Sequence, residues 1–236
     1  MTLWNPIRRS AMHHKHLALG ASMVERDGWQ QPARYESVEA EMEHLRERAG
    51  ICDISPMGKL IFKGEELDQL LTPAFSDLPS IDVGSVARTN MANGSGTMPI
   101  VLARLATDEL LALTPPIRTS TIIDILEEDS ARCAHVLEIS SGLAGVRVCG
   151  PKSGLLLGQI MALDISNAAF ADLRCAQTQA AEIHVTLLRM DLERLPSYDL
   201  YFQREFGEYM WDVLTEAGQV CGASPVGFEA MDRLLA

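Results

Sequence analysis

Imidazole, thiol and carboxylate side chains are the groups here that could hold a metal, carry a proton or attack an electrophile, and few of them are patterned. His13-His14-Lys15-His16 gathers three imidazoles within four residues. Neighbours in an extended segment point opposite ways, however, and no acidic or Cys partner stands at a characteristic ligand spacing, so the run reads as surface polarity and no metal is expected. His184 alternates with Ile183 and Val185, as the half-exposed face of a strand would. Asp53 suits a tight turn in which a carboxylate accepts backbone N–H bonds. Cys52 has no cationic neighbour to depress its thiol pKa, so it is not read as a nucleophile. Trp29, Tyr35 and Tyr198 could stack on a flat heterocycle or pack in a core.

The chain's 236 residues are 47% hydrophobic, enough for a substantial core in one large domain. A formal charge of -12, with no Lys/Arg block, disfavours phosphate backbones and anionic lipid, so neither nucleic acid nor membrane is an expected partner. No apolar run approaches the roughly 20 residues of a membrane span, and the first residues lack the order of a secretion signal, which predicts a cytoplasmic protein. Five cysteines without C-x-x-C spacing predict neither a disulfide framework nor zinc.

The elements that would position these groups are legible in part. Ser37 caps a helix running to Ala49, with Glu39 and Glu41 in its first turn and Val38, Met42, Leu45 and Ala49 as its buried stripe. Lys59 to Lys63 reads as a strand, followed by a short helix over Glu65 to Leu71 that Pro73 ends. Leu78 to Gly96 is rich in Ser, Pro, Gly and Asn and reads as loop and short strand. An amphipathic helix is predicted over Thr119 to Leu126, and strands over Gly145–Cys149, Ile183–Leu187 and Tyr198–Phe202. Further helices are predicted from Ser153 to Ala162 and from Glu205 to Ala217, the latter with Phe206, Met210, Val213 and Ala217 on its buried face. The mixture, without internal repeats, predicts an α+β fold of mixed sheets and packed helices.

The order His16-Leu-Ala-Leu-Gly-Ala-Ser-Met23, Gly28-Trp29, then Glu43 to Lys59 through Gly50-Ile-Cys-Asp53 and Ser55-Pro-Met57-Gly58 resembles the folate-binding domain of the glycine cleavage system T-protein, an aminomethyltransferase. Gly150-Pro151 after a strand, Tyr198-Asp199 and the ending Gly227 to Ala236 resemble further family motifs in the same order. The resemblance implies one aminomethyltransferase-like folate-binding domain over residues 1–236, with the family's C-terminal barrel absent or supplied by a partner subunit. It also implies that Met57, Met91, Asn93, Thr114, Arg118 and Tyr198 fall on folate-pocket positions, and that His16 is structural or pocket-lining.

The family's chemical residues are altered. The acidic segment beside the folate reads Asn93 to Val101 here, with Ile100 and Val101 in place of a carboxylate pair. Neither can hold a cationic amine or accept its proton. The family's pterin-binding Glu falls near Leu192 to Leu195, where Glu193 reaches the ring only if the register shifts. The expected function is therefore tetrahydrofolate-linked transfer of a methyl or methylene unit, or demethylation, other than the standard aminomethyl-lipoate reaction, with no catalytic residue assigned. The alternatives are a folate-independent enzyme acting on a small apolar or aromatic substrate, and a non-catalytic subunit.

Overall fold

Side chains alternate across a β-strand, so each sheet has two faces, and this chain uses its two large sheets to build three apolar cores. The computed structural model describes residues 7–65, 67, 68, 75, 78, 80–93, 96–129 and 135–235. The fold is α+β, with mixed sheets and packed helices.

A small sheet comes first, from β1 (Arg8–Arg9), β2 (Ser22–Arg26) and β3 (Trp29–Arg34), with α1 (His13–Ala18) between the first two strands. Asp27 and Gly28 turn the β2–β3 hairpin with φ of 53° and 73°, the geometry that an Asp-Gly pair supplies at least cost. α2 (Val38–Glu47) starts at its predicted cap, where Ser37 Oγ accepts from Ala40 N at 3.2 Å. It stops before Ala49, which is fully buried beyond the helix end.

The larger sheet contains β4 (Gly50–Asp53), β10 (Leu143–Cys149), β11 (Arg174–Ala180), β12 (Ile183–Arg189), β13 (Ser197–Gln203) and β14 (Ser224–Pro225) in the order β11-β12-β13-β10-β4-β14. Only its β4–β14 pair is parallel. The second is antiparallel throughout, with β5 (Gly58–Lys63), β6 (Val86–Asn93), β7 (Gly96–Ala106), β8 (Glu109–Thr114) and β9 (His135–Glu138) ordered β6-β7-β8-β5-β9. Further helices are α3 (Thr119–Asp129), α4 (Ser153–Leu157), α5 (Gly207–Gly218) and α6 (Phe228–Leu235).

One core lies between the larger sheet and α5, where Tyr198, Leu200 and Phe202 of β13 meet Met210, Trp211 and Leu214. A second fills the space between the sheets and reaches α2 and α6 through Leu45, Leu113, Tyr201 and Met231. The third covers the far face of the second sheet around Leu60, Phe62, Met91 and Ile122. Each fully buried Leu or Phe contributes roughly 1.5–3 kcal/mol, so the sheets are held chiefly by these faces.

Several expectations are corrected. His13 and His16, three apart on the helix α1, share one face and are 4% and 0% exposed, so that part of the run is interior rather than surface polarity. Residues 86–93 form a strand of eight residues, because β7 takes up its backbone from Val86↔Ala103 to Asn93↔Gly96 despite a loop-like composition. α4 ends at Leu157, where Gly154 and Gly158 weaken further helix. α5 begins at Gly207 and buries Met210, Trp211 and Leu214, leaving Phe206 exposed. The helix expected over Glu65 to Leu71 lies largely outside the described residues.

Candidate functional site

The chain crosses between the large sheets along residues 54–57, from β4 to β5, and again along residues 139–142, from β9 to β10. A cavity of about 140 Å³ lies against the first crossing. Its apolar wall is Ile54, Pro56 and Met57 on one side and Phe228, Met231 and Leu235 of α6 on the other, with Pro116 between. Phe228, Met231 and Leu235 share a helical face by their spacing of three and seven residues, so α6 presents one apolar surface to the space.

Polar groups lie at both ends of this slot. At the mouth Arg26 lies 4.5 Å over the Phe228 ring and bonds Asp232 Oδ2 at 2.6 Å, while its Nε is 3.6 Å from Asp27 Oδ2. At the base Arg147 grips Asp199 through both guanidinium arms, at 2.6 and 2.7 Å, and Tyr201 OH donates to Asp199 Oδ2 at 3.3 Å. Burial opposes the Arg147 charge, but Asp199 outweighs it and its pKa is raised.

Asp53 borders the same base. His16 Nε2 is 2.9 Å from its Oδ2, Ser55 N donates to Oδ1 at 2.8 Å, and Tyr35 OH is 2.7 Å from His16 Nδ1. The Trp211 ring lies edge-on to His16 at 4.7 Å. Burial pushes the Asp53 carboxyl up, yet the His16 bond and charge, with bonds from Ser10 and Ser55, hold it below the ordinary carboxylate value. Tyr35 is thus engaged by His16 rather than free to stack, and burial raises its phenol pKa. The Cys52 thiol is fully buried and raised by burial and by Asp53, which keeps it a neutral thiol.

Of the positions implied by the family resemblance, Met57 lies in the cavity wall and the others lie elsewhere. Met91 is wholly buried in the far core with Met98 and Ile100. Asn93 ends β6, opposite Gly96. Thr114 is buried and donates to Pro115 O at 2.9 Å, and a Cβ on Gly58 would come within 2.2 Å of its hydroxyl. Arg118 is exposed just ahead of α3. Tyr198 faces the opposite core, with its OH on Ile165 O at 3.3 Å, because strand alternation turns Asp199 and Tyr201 toward the cavity side instead. Glu193 sits exposed at φ 47° in the turn closed by Leu192 and Leu195.

Sequence reasoning missed Arg26, Asp27, Gln31, Arg147 and Asp232, all of which border the cavity. The Asp27-Gly28 turn and the apolar spacing of α6 were the signals available for two of the segments. A wider groove of about 420 Å³ between α2 and α6 is lined by Glu39, Glu43, Arg46, Glu47 and Arg233 around Met42, which is a solvated charged surface. Among the described residues no group of His, Cys, Asp and Glu is gathered as a metal site, and no helix is long and apolar enough to cross a membrane.

Two face-packed sheets joined by paired crossings, with a slot between one crossing and α6, define the class: an α+β domain of mixed sheets and packed helices. The chain belongs to the family described as the GCVT N-terminal domain, which it matches over residues 12–235. It is 26% identical to an aminomethyltransferase of Desulforamulus reducens over 97% of this chain and 63% of that protein. It is also 28% identical to sarcosine oxidase subunit alpha of Rhizobium meliloti, over 98% of this chain and 25% of that subunit. The fold matches the glycine cleavage system aminomethyltransferase T of Bartonella henselae with a TM-score of 0.84 at 18% identity, covering 97% of this chain and 62% of that one. A heterotetrameric sarcosine oxidase from Corynebacterium sp. U-96 matches at 0.66 and 20% identity, covering 92% of this chain and 97% of that one. The chain spans less than two thirds of the length of the curated aminomethyltransferases it matches.

Proposed function

We propose that the chain serves tetrahydrofolate-linked one-carbon transfer, moving a methyl or methylene unit from a donor other than an aminomethyl-lipoyl group. Membership of the GCVT N-terminal family supports the class of reaction, and the slot beside Met57 is the observation that carries the reading. Its residues fit a reduced pterin: Met57, Pro56 and Phe228 give apolar faces for a flat ring, and Asp53 and Gln31 give oxygen acceptors for ring N–H groups. Bound folate would supply the nitrogen that carries the one-carbon unit.

The chain's own residues do the rest. Asp53, kept ionised by His16, Ser10 and Ser55, holds an acceptor at the cavity base without moving. The Arg147–Asp199 pair fixes the floor, and α6 with Met57 gives it apolar walls. Ile100 is buried in the far core and Val101 packs toward the core between the sheets, and neither can bind or deprotonate an amine. Their chemistry supports a donor other than the standard one.

Similarity to a protein named as a sarcosine oxidase subunit supports association with a partner chain. A second reading rests on size, since a cavity of roughly 150 Å³ accommodates benzene, so a single aromatic ring fits as the slot stands. Calorimetric titration with tetrahydrofolate, on the chain and its Met57→Ala variant, separates the two. Micromolar binding, about -7 to -8 kcal/mol, weakened at least tenfold by Met57→Ala supports the folate reading. No heat with folate but thermal protection by a monocyclic aromatic acid or amine supports the second. Neither response would leave a non-catalytic subunit.

A further inference from the structure

Lys59 is fully buried between the two sheets, and its ammonium donates to Ser55 O at 2.8 Å, Met57 O at 2.9 Å and Ser140 O at 3.4 Å. Two of those carbonyls belong to the β4–β5 crossing and flank Pro56; the third belongs to the β9–β10 crossing. An ammonium has three donors and no acceptor, so these carbonyls satisfy it completely. Burying such a charge is costly, and an apolar side chain would fill the slot without that cost. What an apolar side chain could not do is gather the carbonyls of two crossings onto one point.

We propose that Lys59 is a positioning residue of the cavity, its ammonium tying the two crossings together and so fixing the wall that Pro56 and Met57 present to a ligand. The segment is held from both sides, because Ser55 N also donates to Asp53 Oδ1 at 2.8 Å and Met57 N to Ile54 O at 3.1 Å. Without its proton Lys59 loses the charge and one donor, and the wall loosens at Ser55 and Met57.

The groups facing Lys59 allow this to be observed. Burial lowers its pKa to about 8, with Asp53 favouring the charge and Arg204 opposing it. The Tyr201 ring lies 5.8 Å from Nζ, and burial holds its phenol well above the ordinary value, so it stays neutral as Lys59 titrates. Asp53 stays ionised, and Cys52 stays a thiol. On the side of the second sheet, Ser140 Oγ is held by Glu138 Oε1 at 3.1 Å.

The test is hydrogen exchange of the Ser55 and Met57 amides by NMR from about pH 6.5 to 10, as protection relative to an unfolded peptide at each pH, with Lys59 Cε followed alongside. Protection at both amides is expected to fall at least tenfold with the midpoint of Lys59 Cε, while Val185 in β12 keeps its own. Lys59→Arg, whose guanidinium does not titrate here, is expected to abolish the fall. Constant protection through the Lys59 titration, a midpoint apart from that of Cε, or an equal fall in Lys59→Arg would each overturn the proposal. Should Lys59→Arg not fold, the wild-type midpoints decide alone. The proposal rests on the same cavity as the folate reading, but these amides need no ligand. Absence of folate heat would sink that reading without touching this one.

Discussion

Asp53 shows how one buried carboxylate can organise a site. His16, Ser55 and Ser10 hold it ionised, and Tyr35 continues the chain of bonds outward from His16. Replacing it as Asp53→Asn is expected to cost about 3 kcal/mol at pH 7, the range seen when one partner of a buried pair is removed. The folded-state pKa lies below the ordinary 3.8, so the stabilisation is present above that pH and is lost as pH falls through the lowered value. Urea unfolding from about pH 7 down to 2 should therefore show a constant gap between wild type and variant above about pH 4 that narrows below it. Tyr35→Phe, which removes one hydrogen bond at the outer end of the chain of bonds, should cost only about 1 kcal/mol by the same measurement. Asp53 itself was legible as a turn carboxylate, but its partner His16 is 37 residues away and nothing local announces their meeting.

At the scale of elements, one buried side chain ties α2 to the backbone ahead of α2 and ahead of α6. Glu41 is fully buried, and its carboxylate accepts from the amides of Tyr35 at 2.5 Å, Glu36 at 3.2 Å and Gly227 at 2.9 Å. Glu41→Ala should lower stability by about 3 kcal/mol, because buried amides are left without partners. Gly227 sits so close to β3 that an added Cβ would lie 2.0 Å from Ala33 O, a clash with backbone that cannot be relieved by a rotamer. Gly28 has a positive φ of 73° but open space around it. Gly28→Ala should thus cost only about 1–2 kcal/mol, the strain of the left-handed region. Gly227→Ala should exceed it, at about 3 kcal/mol or more, and shift α6 from the cavity. Thermal unfolding of the pair decides whether space or φ dominates. The cap of α2 and the Asp27-Gly28 turn are local signals, whereas β6 needed β7 beside it to become a strand.

For the whole molecule, the three apolar cores leave Cys52, Cys149, Cys175 and Cys221 free and buried. Burial pushes the Cys149 and Cys175 thiols up to about 11. These four are expected to resist iodoacetamide in the native chain at about pH 7.5 and to react fully in urea, as peptide mass spectrometry would read. Alkylation of Cys52 in the native state would show that the cavity base opens to solvent. The ligand question belongs to this scale too, since Arg26, Arg147 and Asp232 come from distant parts of the chain to border one slot.

Within the sequence alone stood whatever depends on neighbours a few residues apart: the α2 cap, the apolar alternation of β12 and β13, and the opening motif through Met57 that resembles a folate-binding domain. These are legible because turn and helix stereochemistry act over three or four residues. The tertiary structure alone decided which of two faces counts. An alternating strand offers both Tyr198 and Asp199, and packing against α5 took the first for the core and left the second to Arg147. It also decided that Lys59 lies buried under two crossings, for only the meeting of two sheets brings three carbonyls to one ammonium.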